Sequence, residues 1–117
     1  MKSILIGILA TAGLTVASAA LAADMPLLAR KSNCSACHSI DKKMVGPAWM
    51  DVSMRYKDAT SYTYNGKEYP LQEGLIMKVS KGGSGNWGTM PMPANAPAIK
   101  EADIKALVIF VIGLAKK

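Results

Sequence analysis

Asn33-Cys34-Ser35-Ala36-Cys37-His38 is the stretch on which the reading of this chain turns. It contains C-x-x-C-H and holds both cysteines and the single histidine of the 117 residues. That pattern is the attachment signature of a c-type haem. The chemistry asks for each element. Two thiols add across the two vinyl groups of a porphyrin, and a two-residue gap lets one helical turn present both sulfurs to one edge. The residue that follows is carried beneath the iron, where an imidazole nitrogen serves as proximal ligand. Small Ser35 and Ala36 leave the ring room to lie close.

Other uses of the cysteines fit less well. A thioredoxin-like pair needs strands around the motif in a βαβ pattern, and none is visible. A structural zinc site needs four ligands, yet no further Cys or His exists. A disulfide across two residues closes almost no loop and adds little chain-entropy stabilisation. Because His38 has no second histidine to pair with, the distal iron ligand is Met, a less usual group, or nothing.

Residues 23–117 contain seven methionines: Met25, Met44, Met50, Met54, Met77, Met90 and Met92. Most should be apolar filler, since Met adapts to irregular gaps. Met90 and Met92 stand apart, in Trp87-Gly88-Thr89-Met90-Pro91-Met92-Pro93-Ala94-Asn95. Two prolines make this a stiff, extended loop. Such a loop can hold a thioether against iron at little ordering cost, and a Met ligand raises the reduction potential. Spacing does not choose between the two.

The N-terminal stretch reads as a signal peptide. Met1-Lys2-Ser3 is a short positive start, Ile4 to Val16 is uncharged and apolar, and Ala20-Leu21-Ala22 is a small-x-small cleavage site. Residues 1–22 are therefore expected to be removed, leaving a domain over 23–117 in the periplasm. An uncleaved anchor is the other reading, since a span needs about 20 apolar residues. Loss of Lys2 lowers the net charge from +6 by one. A core of about 95 residues is marginal without a staple or a cofactor.

These residues together resemble the small bacterial class I cytochromes of the c-551 (c8) type. The likeness covers about residues 25–58 and 71–115. It is carried by the haem motif, by Lys43-Met44-Val45-Gly46-Pro47-Ala48-Trp49, by Asp51-Val52 and Arg55-Tyr56, and by Gly82-Gly83-Ser84-Gly85-Asn86-Trp87-Gly88 and Met92-Pro93-Ala94-Asn95. The haem motif is common to all c-type cytochromes; the later segments are more specific. The resemblance implies that Cys34 and Cys37 hold one covalent haem c and that His38 and Met92 hold the iron. Met90 falls where relatives carry another apolar residue. It further implies that a backbone carbonyl near Pro47 fixes the other nitrogen of His38, and that Asn95 hydrogen-bonds the ligand sulfur. Trp87 would reach a haem propionate, a plain core tryptophan being the alternative. At the position of a propionate-binding arginine this chain has Lys78, which lacks arginine's fork.

The segment Thr60 to Pro70 departs from the family. Tyr62-Thr63-Tyr64-Asn65-Gly66-Lys67-Glu68-Tyr69 alternates aromatics around an Asn-Gly pair, the signal of a short hairpin; an irregular loop is the other reading. An isolated hairpin is marginal, so it must pack on a helix or on the haem edge. Helical spacing predicts elements over Met25–Asn33, Ala48–Lys57, Leu71–Ser80 and Lys100–Ala115. In the last of these Ile104, Leu107, Val108, Val111 and Leu114 face inward. The expected fold is all-α, a small cytochrome c fold of four or five helices around one haem, with the hairpin near 62–69 inserted.

The glycine-rich turn Lys81 to Gly85 lacks the order of a phosphate loop. The lysines are scattered rather than run together, which excludes a nucleic-acid footprint but favours encounter with an acidic partner. The expected function is a soluble, monomeric, non-enzymatic carrier of single electrons in respiration. The resemblance suggests a cytochrome bc1 complex, a terminal oxidase or a nitrite reductase as partners. The rivals are a peroxidase-like enzyme or ligand sensor with an open iron site, and a haem-free thiol oxidoreductase.

Overall fold

The computed structural model describes Gly13 and residues 24–116; the signal-peptide reading of residues 1–22 lies, but for Gly13, outside the described residues. Pro26, extended at φ −59° and ψ 148°, opens helix α1 over Leu27–Lys31. The helix is shorter than its periodicity predicts. Asn33 takes the left-handed conformation (φ 61°) and stops it, and a 3-10 turn over Cys34–Ala36 follows at once. Helix α2 spans Trp49–Tyr56, α3 spans Leu71–Lys81 and α4 spans Glu101–Gly113, the last running into a 3-10 turn over Leu114–Lys116. Glu101 and Asp103 in the first turn of α4 suit its dipole.

Between α2 and α3 stands an antiparallel hairpin, β1 (Ser61–Tyr64) and β2 (Lys67–Pro70), with Tyr62 opposite Tyr69 and Tyr64 opposite Lys67. Asn65 and Gly66 both have positive φ (49° and 76°), as a type I′ turn requires. The hairpin is the only sheet among the described residues. Period-two alternation turns Tyr62 and Tyr64 inward, where both are buried, and leaves Thr63 exposed. Helix α3 lies flush against it: a Cβ on Gly74 would come within 2.8 Å of Tyr62 Cβ. Tyr62 also meets Tyr56 of α2 edge-on at 5.3 Å.

The core is split in two. Ala29, Ile40, Trp49, Leu107 and Leu114 form one cluster. Tyr62, Tyr64, Leu75, Ile104 and Val108 form the other. Helix α4 contributes to both and so joins them. Of the residues expected inward, Ile104, Leu107 and Val108 on α4 and Leu114 in the 3-10 turn after it are buried, and Val111 is half-buried.

A buried polar residue ties α2 to the end of α4. Ser53 is fully buried on α2; its Oγ donates to the Ile112 carbonyl at 2.8 Å and accepts from the Ala115 amide at 2.9 Å. It thereby satisfies a carbonyl in the last turn of α4 and an amide in the 3-10 turn that follows. Ser53→Ala orphans these groups, so it is expected to destabilise the holoprotein by about 1–3 kcal/mol in denaturant unfolding. A loss below about 0.5 kcal/mol, the range of neutral surface changes, would contradict that role.

Candidate haem site

The 3-10 turn does for the cysteines what a single helical turn must. The Cys37 and His38 amides both donate to the Cys34 carbonyl, at 3.1 and 2.9 Å. Cys34, Cys37 and His38 consequently line one cleft and are each half-buried. The chain then folds back: the Gly46 amide donates to the Cys37 carbonyl at 2.8 Å, and the Trp49 amide to the Ser39 carbonyl at 2.9 Å. This return lays Gly46 and Pro47 against the imidazole.

There His38 Nδ1 donates to the Pro47 carbonyl at 2.8 Å. A carbonyl can only accept, so the proton sits on Nδ1 and Nε2 keeps its lone pair. The ring is thus in the tautomer that can bind a metal through Nε2, with its orientation set by the backbone. Gly46 makes this approach feasible: a Cβ there would lie 2.5 Å from His38 Cε1 and 2.9 Å from Nδ1. Trp49 closes the other flank, its ring centroid 5.8 Å from that of His38.

The cleft has a volume of about 360 Å³ and runs between the two halves of the core. Its walls include Val52, Leu75, Val79, Val108 and Val111, alongside Met90 and Met92 from the distant loop. Met92 is half-buried and exchanges both backbone hydrogen bonds with Gly83, each 2.9 Å. Met90 is 63 % exposed. Asn95 Nδ2 donates to the Val79 carbonyl at 3.0 Å and to the Pro93 carbonyl at 3.3 Å, tying the loop to the end of α3. A largely apolar cleft bearing two thiols, one oriented imidazole and thioethers fits a covalently attached haem in its donor chemistry.

Lys78 also lines the cleft, but it is a buried residue whose Nζ donates to the Gly83 carbonyl at 2.6 Å. Burial holds its amine below the usual lysine range. Trp87 is at the rim and 38 % exposed, so it is not a core tryptophan. Its ring lies under the Arg55 guanidinium at 4.5 Å, and Arg55 Nη1 donates to the Asn86 carbonyl at 2.8 Å. Tyr62 reaches the same cleft, and burial pushes its hydroxyl well above the usual tyrosine range. Sequence reasoning missed the parts played by Gly46, Arg55, Tyr62 and Tyr64. Gly46 and Arg55 stood in quoted segments, but their partners lie in space rather than in a spacing.

Two of the competing chemistries are poorly served here. Among the described residues no three His, Cys, Asp or Glu side chains gather to hold a metal ion. Burial, the largest influence on Cys34, pushes its thiol above the usual value. A redox or nucleophilic cysteine needs the reverse shift, towards thiolate.

Comparison with known proteins agrees with this geometry. The cytochrome c family profile matches residues 22–115. Cytochrome c-551 of Allochromatium vinosum is 46% identical over 107 residues, covering 91% of this chain and 100% of that protein. Cytochrome c-552 of Nitrosomonas europaea is 40% identical over 116 residues, covering 97% and 99%. The crystal structure of wild-type Nitrosomonas europaea cytochrome c552 superposes with a TM-score of 0.61 at 38% identity, over 74% of this chain and 95% of that one. Among the described residues no helix is long and apolar enough to cross a membrane. A cleft built around C-x-x-C-H and matches spanning nearly the whole chain lead to one conclusion: the chain belongs to the cytochrome c family, as a bacterial class I c-type cytochrome, an electron carrier rather than an enzyme, with covalently attached haem c and its iron as cofactor.

Proposed function

We propose that this is a periplasmic monohaem carrier of single electrons between respiratory redox proteins, with Cys34 and Cys37 bonded to the haem and His38 and Met92 holding its iron. The observation that carries the reading is the His38 Nδ1 bond to Pro47, which leaves Nε2 free to ligate in the same cleft that receives Met92. Met92 is preferred to Met90 because it is half-buried and doubly bonded to Gly83, whereas Met90 is largely exposed. When bound, the haem iron supplies a one-electron couple. The chain orients the imidazole, keeps water from the apolar slot and holds the thioether in place. With an imidazole and a thioether both supplied by the chain, neither ligand would need to leave on electron transfer. Trp87 at the rim and Lys78 within the slot are the groups assigned to the propionates; Asn95 supports the Met92 loop.

Export is supported by the N-terminal pattern, with cleavage after residue 22 leaving 23–117. Met44 and Val45 (47 % and 53 % exposed) stand beside exposed Lys42 and Lys43, and Val45 and Lys43 also line the cleft. An apolar spot beside lysines suits brief docking to an acidic redox partner. Potentiometric titration of the purified protein should give a single one-electron wave, and the reduced form should not take up carbon monoxide. Ready carbon monoxide binding by the wild type would instead favour an open-site sensor or enzyme.

A further inference from the structure

The hairpin over residues 61–70 lies outside the part of the chain that carries the haem motif and the methionine loop, yet it is tied to that loop by side chains. We propose that the hairpin braces the Met92 loop, and that Tyr64 is a positioning residue for the distal ligand. This rests on Met92 being that ligand.

The arm that leads into the loop is glycine-rich. Gly82 and Gly83 both have positive φ (73° and 118°) and begin the stretch that returns to Met92. Such residues order at a high entropic cost, and fixing them falls to neighbours. Tyr64 is buried, and its hydroxyl donates to the Gly82 carbonyl at 2.8 Å across 18 residues of sequence. On the same strand the Thr63 carbonyl accepts from Asn86 Nδ2 at 3.0 Å. Lys78 takes the next carbonyl, that of Gly83, at 2.6 Å. Gly83 in turn exchanges two backbone hydrogen bonds with Met92. A continuous run of hydrogen bonds and peptide links therefore leads from the tyrosine hydroxyl to the residue bearing the thioether. Gly82 is itself buried, and a Cβ there would meet the Ala94 amide at 2.8 Å, so the two arms of the loop lie back to back.

Without the Tyr64 hydroxyl the buried Gly82 carbonyl loses a partner, and the closed loop loses ground to open forms in which Met92 has left the iron. The brace thus sets how often the sixth position opens, which a carrier with a fixed ligand set must keep rare.

The test is imidazole titration of the ferric holoprotein, followed by loss of the thioether-to-iron charge-transfer band. Apparent affinity scales with the fraction of molecules whose Met92 is released. Tyr64→Phe keeps the ring and should raise that affinity about tenfold, the worth of one buried hydrogen bond left unmade. Tyr69→Phe, on the partner strand, should leave it unchanged. Affinity within twofold of wild type in Tyr64→Phe, with only thermal stability lowered, overturns the brace. Should that variant not yield holoprotein, Asn86→Ala removes the more exposed tie to Thr63 and should raise affinity about threefold; no rise overturns the proposal equally. Met92→Ala separates the two levels. If its band persists, the ligand reading has failed; if the band is lost while Tyr64→Phe behaves as wild type, the brace alone has failed.

Discussion

Replacing Met92 with alanine will turn the ferric protein from six-coordinate low-spin to high-spin and abolish the thioether charge-transfer band. Its reduction potential will fall by a sizeable part of the roughly 0.8 V over which axial ligands set haem potentials. The reduced variant will bind carbon monoxide readily, because the sixth position has become available. Met90→Ala will do none of this. Met90 is 63 % exposed and has no backbone bridge, whereas Met92 is locked to Gly83 by two hydrogen bonds. An unchanged band in Met92→Ala and a lost one in Met90→Ala would move the ligand by two residues, leaving the rest of the site as described.

The second large effect is on folding. A double Cys34→Ala, Cys37→Ala variant should be exported without bound haem and with most of its helical circular dichroism lost. The cleft runs between the two clusters that α4 joins, so a haem bound there would complete the core. At roughly 24 cal/mol per Å³, a cavity of about 360 Å³ costs about 9 kcal/mol, an upper figure because the cleft opens to solvent. That is comparable with the whole stability of a small domain, about 5–15 kcal/mol. A single Cys37→Ala variant keeps one thioether and should still fold around its haem. A double variant with native helicity and no haem would show that the polypeptide alone closes its core.

Much of this was open to reading from local pattern. The haem motif is a contiguous chemical signature. The Asn65-Gly66 turn dictates its own hairpin, and the paired tyrosines follow from it. Helices α3 and α4 lie within two residues of their predicted bounds because Gly82 ends the first and the apolar spacing of the second is regular. What escaped were groups whose partners are remote in sequence. Ser53 looks like a surface serine until Ile112 and Ala115 arrive, 59 and 62 residues later. Arg55 stood only in a segment quoted for its family likeness, yet it covers Trp87 and binds the Asn86 carbonyl. Lys78 is the sharpest case: a lysine expected to meet a propionate also has a backbone carbonyl to hold. Periodicity encodes which face turns inward, but not which distant carbonyl waits there.

The central claim is that both thiols of the motif are consumed in bonding one haem. Intact mass spectrometry of the exported wild-type protein under denaturing conditions tests it most directly. The mass should exceed that of residues 23–117 by one haem, with no thiol left to alkylate. A mass equal to the bare polypeptide, with Cys34 and Cys37 both open to alkylation or joined to each other, would contradict it.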